Sequence, residues 1–420
     1  MTNLRTKLIT CGGLLGALLV FSNLAIGQSP SPSFYTLHKF EGAGGGSPTA
    51  IIGGNGVILG ATSSGGIGLG TIFSITIPAT VGGPYPESAI YTFTGENDGA
   101  FPTGLISNSE GVLFGTDGVG QLANGTVFSL TPPSSPGGTW VETPIYNFTG
   151  GLDGGSPDTG VTLGPNGVLY GTTFSGGANG NGVVFSLTPP ASPGGAWTEE
   201  VLFNFAANVG DTSPSGGLAI GPDGVLYGTA FEWADNVGGA VYSLTPPKTA
   251  GGAWTPEVIH LFGSDNGDGD NPVSGVVIGP GGVLYGATED GGTIGSGTVF
   301  SLTPPTTKGG AWTETVLHSF TGITGLAGDG ANPESKLVIG PGGVLYGTTA
   351  FGGAASSDGT IFSLTPPSSP GGAWTETILH DFSGTDGRIP GSMILGENGV
   401  LYGTTLFGGL DFGTLFAVKL

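Results

Sequence analysis

The sequence predicts an all-β, seven-bladed β-propeller of four-stranded antiparallel blades on three observations. Two short motifs each recur seven times, every repeat holds four strand-length apolar segments, and the two ends of the chain complement each other. The first motif, Gly-Val-hydrophobic-(aromatic or Leu)-Gly, begins at Gly56, Gly111, Gly167, Gly224, Gly282, Gly343 and Gly399. The second, Gly-x-hydrophobic-aromatic-Ser-Leu, begins at Gly70, Gly125, Gly182, Gly239, Gly297, Gly359 and Gly413, varied to Ser74-Ile75 and Ala417-Val418 in the end copies. The period is about 57 residues.

Within a repeat, four segments read as strands, as in residues 275–279, 283–288, 298–303 and 313–320. A helical solenoid is excluded because no 3.6-residue periodicity runs over a useful length. A parallel β-helix is the alternative, although its coils are usually shorter than this unit. The chain stops just after the third strand of the seventh copy, at Leu420, and the missing fourth strand is found at the other end. Residues 35–40 match residues 315–320 and 377–382, so an N-terminal strand is expected to complete the C-terminal blade and close the ring. Pro165-Asn166-Gly167 and Pro280-Gly281-Gly282 supply the positive φ of tight turns between first and second strands. Trp140, Trp197, Trp254, Trp312 and Trp374, with Tyr85 in the same column, are expected to cover apolar surface near the rim.

Composition is consistent with this punctuation: 88 glycines and 31 prolines separate short β-forming clusters. Eight basic residues against 30 acidic ones, a formal charge of −22, exclude nucleic acid as a partner, since no basic patch could neutralise phosphates. Residues 1–27 read as a signal peptide: Arg5 and Lys7 precede an apolar run from Leu8 to Phe21, and Ala25-Ile26-Gly27 offers a small-residue cleavage site. The run is short of the roughly 18–20 residues of a span, so no stable membrane span is expected in the mature chain. Residues 28–33 form a short linker and 34–420 the propeller. The protein is expected outside the cell or on its surface, as a monomer. Cys11 is the one cysteine, which leaves the mature chain without thiol chemistry or cysteine-ligated zinc.

The repeated wording Gly-Val-Leu-Tyr-Gly-Thr-Thr (167–173), Gly-Thr-Val-Phe-Ser-Leu-Thr-Pro-Pro (297–305) and Gly-Gly-Ala-Trp-Thr-Glu-Thr (309–315) resembles the GloVer tandem repeat of bacterial secreted proteins over residues 34–420. The resemblance implies a surface or extracellular protein, often with a C-terminal sorting anchor, and provides no catalytic residues. This chain departs from the anchored pattern, ending inside the last blade with no hydrophobic tail.

Chemistry-bearing residues fall into columns. His38, His260, His318 and His380 share a fourth-strand position with Tyr91, Tyr146 and Phe203, which reads as a flat ring packed between blades. Ahead of each later first strand stands an Asp-rich loop ending in proline: Asp98, Asp153, Asp211, Asp268 or Asp270, Asp329 and Asp386. These carboxylates are read as turn formers accepting local N–H groups, the sharper alternative being a ring of acids at one mouth. Asp265, Asp268 and Asp270 carry enough oxygens to suggest Ca²⁺ but fail the EF-hand pattern, so the expectation is no cofactor, with Ca²⁺ as the weaker reading. In the second-to-third loops, Glu232, Trp233, Phe351 and Phe407 break the glycine-rich pattern and are the candidate ligand-binding residues, since aromatics beside carboxylates suit sugar or peptide stacking. The expected function is a non-enzymatic extracellular binding or adhesion propeller for a glycan or protein. The alternatives are a carbohydrate-active hydrolase or lyase using loop carboxylates, and a structural repeat protein of the cell surface.

Overall fold

Four β-forming clusters per repeat give four strands per blade, laid side by side in chain order. In the computed structural model the described residues are 32–420, other than 55, 79–84, 97, 119–123, 136, 193, 206–212, 232–237, 250, 264–266, 308, 323–327, 354–356, 370 and 397–398. The expected signal peptide and most of the linker lie outside them. Seven four-stranded antiparallel sheets form the ring, and Gly269–Asp270 pairs with Asp290–Gly291 as a small added ribbon.

Counting from the axis outward, blade 5 runs Val277–Ile278, Leu284–Thr288, Thr298–Thr303 and Thr313–Ser319. Its innermost strand is shorter than the sequence suggests. The Gly275 lead-in packs so closely on the backbone of blade 4 that a Cβ there would collide with the Gly217 carbonyl oxygen, leaving it outside its own sheet. The other blades span 46–92, 102–147, 161–204, 219–261 and 338–381, and blade 7 comprises 388–419 with the N-terminal strand. That closing strand, Ser33–Lys39, pairs antiparallel with Thr414–Lys419, from Ser33 opposite Lys419 to Lys39 opposite Thr414. The inner-hairpin turns have the predicted chemistry, with Asn166 at φ 60° and Gly281 and Gly282 at 72° and 78°.

The core is distributed among the seven interfaces between neighbouring blades. Between blades 5 and 6, for example, Ala287, Val299 and Phe320 pack on Leu337, Leu345, Phe362 and Leu364, and across the closure Phe40 and Leu415 pack on Ile51, Ile58, Phe73 and Ile75. Each interface centres on an edge-to-face ring pair, such as Phe320–Phe362 at 5.1 Å and Phe40–Phe73 at 5.1 Å, a geometry contributing about 0.5–1.5 kcal/mol beyond its buried area. The second strand must pass these rings without a side chain: a Cβ on Gly286 would strike Phe300. Trp254, Trp312 and Trp374 meet Tyr170, Tyr227 and Tyr285 of the preceding blade edge-on at 6.1–6.2 Å, so these tryptophans are interface residues.

Candidate functional site

A bulge in each outer strand determines where the histidine column points. In blade 5, Val299 faces His318 while Phe300 faces Val316, so Leu317 is the extra residue and the imidazole turns toward the next blade. There it meets the aspartate of the following loop. His318 Nε2 lies 2.9 Å from Asp329, His380 Nε2 2.9 Å from Asp386, and the Tyr91 hydroxyl donates to Asp98 at 2.8 Å. The second oxygen of Asp98 accepts from the Thr94 hydroxyl, and the Thr94 N–H completes the cage; Thr149 does the same for Asp153, and Thr321 for Asp329. Burial pushes the Asp98 and Asp329 carboxyls up, but these hydrogen bonds overcome it and hold both below the ordinary aspartate value. Asp98, Asp153, Asp268, Asp329 and Asp386 are therefore held in turns by local N–H groups, and Asp211 lies outside the described residues.

A third member comes from the outer strand of the next blade. Glu142 stands near Asp98, Glu199 near Asp153, Glu314 near Asp268 and Glu376 near Asp329, while Glu87 contacts His38 directly at 2.8 Å. Burial first, and the neighbouring aspartates second, push Glu142 and Glu199 up to about 7; for Glu376 burial and the Asp329 and Asp381 charges outweigh the opposing His318, again to about 7. Where the ring position is Phe203, the register of the next blade offers Pro256 instead of glutamate. Opposite His380 it offers Phe34, stacked at 3.5 Å and 1°. These groups belong to the seams of the ring.

Of the four candidate ligand-binding residues, Glu232 and Trp233 lie outside the described residues. Phe351 is exposed, on a loop pairing with Ala331, and Phe407 is half-buried with the Arg388 guanidinium 5.5 Å over its ring. Of the calcium candidates, Asp265 is likewise outside. Asp268 accepts from the Gly263 and Gly269 N–H groups and faces His260 at 3.4 Å, and Asp270 is paired through its backbone with Asp290. Among the described residues no group of three or more His, Cys, Asp or Glu side chains is arranged to hold a metal.

A concavity lies on the axis, a cavity of about 1120 Å³ to which all seven blades contribute their innermost segments. Its wall follows the repeat: a small or hydroxyl residue, then glycine, then an aliphatic residue, as in Ser215-Gly216-Gly217-Leu218 and Val273-Ser274-Gly275-Val276. Some wall hydroxyls bridge blades, Thr49 to the Pro102 carbonyl at 2.7 Å and Ser215 to the Pro272 carbonyl at 2.6 Å. Blades 3 and 6 break the pattern. Asp158 and Glu334 follow their prolines, and Lys336 stands in the column that holds Gly160, Gly217 and Gly275 in blades 3 to 5. Among the described residues these three are the only charged side chains in the cavity wall.

All three side chains are exposed in the wall of the cavity. Burial pushes the Asp158 carboxyl up; burial and the Glu289 charge push Glu334 up; burial pushes the Lys336 ammonium down. Each shift favours the uncharged form of the group. Phe174 and Phe231 add aromatic surface to the same cavity. Reading the sequence by its columns missed this trio; the signal was present as three charges where the repeat has none.

A family model described as a Gloeobacter/Verrucomicrobia repeat matches residues 26–210 and 162–416. No curated protein matches the chain. Among solved structures, the gluconolactonase from Xanthomonas campestris is similar at 15% identity over 78% of this chain and 88% of its own, with a TM-score of 0.43. PorZ, a surface component of the type-IX secretion system of Porphyromonas gingivalis, is similar at 14% identity over 90% of this chain and 47% of its own, with a TM-score of 0.54. An oxidoreductase (glucose dehydrogenase) from Thermus thermophilus is similar at 15% identity over 92% of this chain and all of its own, with a TM-score of 0.43. The expectation of a non-enzymatic binding or adhesion propeller is corrected here: the solved structures of similar fold include propeller enzymes. At these identities the likeness is one of fold, and no substrate is carried over.

Proposed function

The chain belongs to the Gloeobacter/Verrucomicrobia repeat family, and we propose that it is an enzyme performing acid–base chemistry on a small polar molecule in the axial cavity. The observation that carries the reading is the break in symmetry. A ring selected only for packing would repeat its uncharged wall, whereas Asp158, Glu334 and Lys336 place two carboxyls and an amine in one enclosed space. A protonated carboxyl can donate to a leaving or carbonyl oxygen, and a neutral amine or second carboxylate can accept the proton released. Export supports access to such a substrate outside the cytoplasm: Arg5 and Lys7 ahead of an apolar run are the signal-peptide features on which that part of the proposal rests.

The test is turnover of a panel of small aldoses, ketoses, esters and lactones by the full chain, by Asp158→Asn and by Glu334→Gln. At least one panel member should be turned over, with each substitution lowering kcat/KM by about 100-fold, the lower end of general acid–base contributions. A folded protein that processes no panel member, or an activity that survives both substitutions, overturns the proposal.

A further inference from the structure

Lys336 has features that the packing of the ring does not require. It is the one basic side chain in the wall of the axial cavity and occupies a column where three other blades have glycine. A chain of four methylenes ending in an amine is a costly way to fill a glycine position, because it must be ordered and partly desolvated. No ion pair or hydrogen bond joins its amine to any described residue, whereas Asp98, Asp268, Asp329 and Asp386 at the blade seams are engaged by rings or backbone. Glu334, two residues earlier on the same segment, and Asp158, from blade 3, share its cavity.

From this placement we infer that Lys336 is a nucleophilic amine and that the substrate class of the axial cavity is a small aldehyde or ketone. The inference rests on the reading of the cavity as an acid–base site and names its substrate. The Nζ lone pair attacks the carbonyl carbon; the C–N bond forms as the C=O π pair moves to oxygen, which takes a proton from the carboxyl of Glu334 or Asp158. The nitrogen gives up a proton to the resulting carboxylate, which restores the acid. Protonation of the carbinolamine hydroxyl by that acid then breaks the C–O bond and releases water. The product is an iminium at Lys336; no electrons are gained or lost, and no co-reactant is consumed. Burial on the axis, which lowers the ammonium pKa, acts in the same direction by raising the fraction of free amine.

Reductive trapping tests this with the full chain. The protein is incubated at pH 7 with glycolaldehyde and sodium cyanoborohydride, and the adduct on each lysine is followed by peptide mass spectrometry. Lys39, Lys248 and Lys419, exposed like Lys336 but outside the cavity wall, are the internal references. Lys336 should be alkylated several-fold faster than these, and the advantage should shrink as the pH is raised to 10. Lys336→Arg should remove the fast adduct while leaving the reference rates unchanged. Alkylation of Lys336 at or below the reference rates overturns the inference. That result, beside turnover lost in Asp158→Asn, would leave the acid–base reading standing without the amine; fast trapping beside turnover indifferent to Asp158 and Glu334 would do the reverse.

Discussion

Replacing Glu142, Glu199 and Glu376 together with glutamine should stabilise the ring at pH 8 and leave it nearly unchanged at pH 5. Each of these carboxyls is held by burial and neighbouring aspartates at about 7 instead of the ordinary 4.5. The folded state therefore binds more protons than the unfolded chain between those values. The sign follows from linkage: the stabilisation is complete below about pH 4.5 and is lost as the pH rises through about 7. At full effect a rise of this size is worth about 3 kcal/mol per carboxyl, and partial exposure reduces that to about 1 kcal/mol each. Glutamine keeps the shape and neutrality of the protonated acid, and Oε1 of all three glutamates is buried without a hydrogen-bond partner among the described residues. Urea unfolding at pH 5 and pH 8 gives the comparison. His380, whose pKa burial lowers, contributes in the opposite sense as pH rises, so the informative quantity is wild type minus variant at each pH. The triple variant should gain about 3 kcal/mol relative to wild type on going from pH 5 to 8. Equal pH slopes for the two proteins would refute the argument.

Three further outcomes follow from the seams. Phe203→His and Pro256→Glu should each destabilise alone but recover part of the loss together, because they recreate the ring–glutamate pairing of the other interfaces; a double-mutant cycle should give about 0.5–2 kcal/mol of favourable coupling, and additivity would count against it. Phe40→Ala, at a fully buried position in the closing interface, should cost about 3–5 kcal/mol in denaturant unfolding; a loss below about 1 would mean that closure does not depend on that cluster. Gly275→Val should lower stability by about 3 kcal/mol or more, since its Cβ meets the Gly217 carbonyl and backbone cannot give way as a side chain could; an unchanged melting curve would show that the blades do not approach as described.

The ring was legible in the sequence because every element of it is repeated. Gly282 to Gly286 and Gly297 to Leu302 can be laid over six other copies, and residues 35–40 could be matched to outer strands they never adjoin in the chain. The seam chemistry was half legible. The histidine and aspartate columns were visible as columns, but Glu142 or Glu376 joins them only through the packing of one blade on the next, which no spacing within a repeat encodes. The axial trio was the least legible. Asp158 stands on one segment and Glu334 and Lys336 on another 176 residues further along, and departures from a repeat are not found by looking for what recurs. Attention went instead to aromatic departures in longer loops, where Phe407 proves to be covered by Arg388.

The pH dependence of kcat/KM for the panel substrate, measured on wild type, Asp158→Asn and Glu334→Gln, tests most directly whether the axial cavity performs the chemistry. A bell-shaped profile for wild type, with one limb lost or displaced in each variant, is the result expected of two carboxyls that share proton transfer. Profiles of the same shape and height in all three proteins would contradict it and remove the axis as the site of reaction.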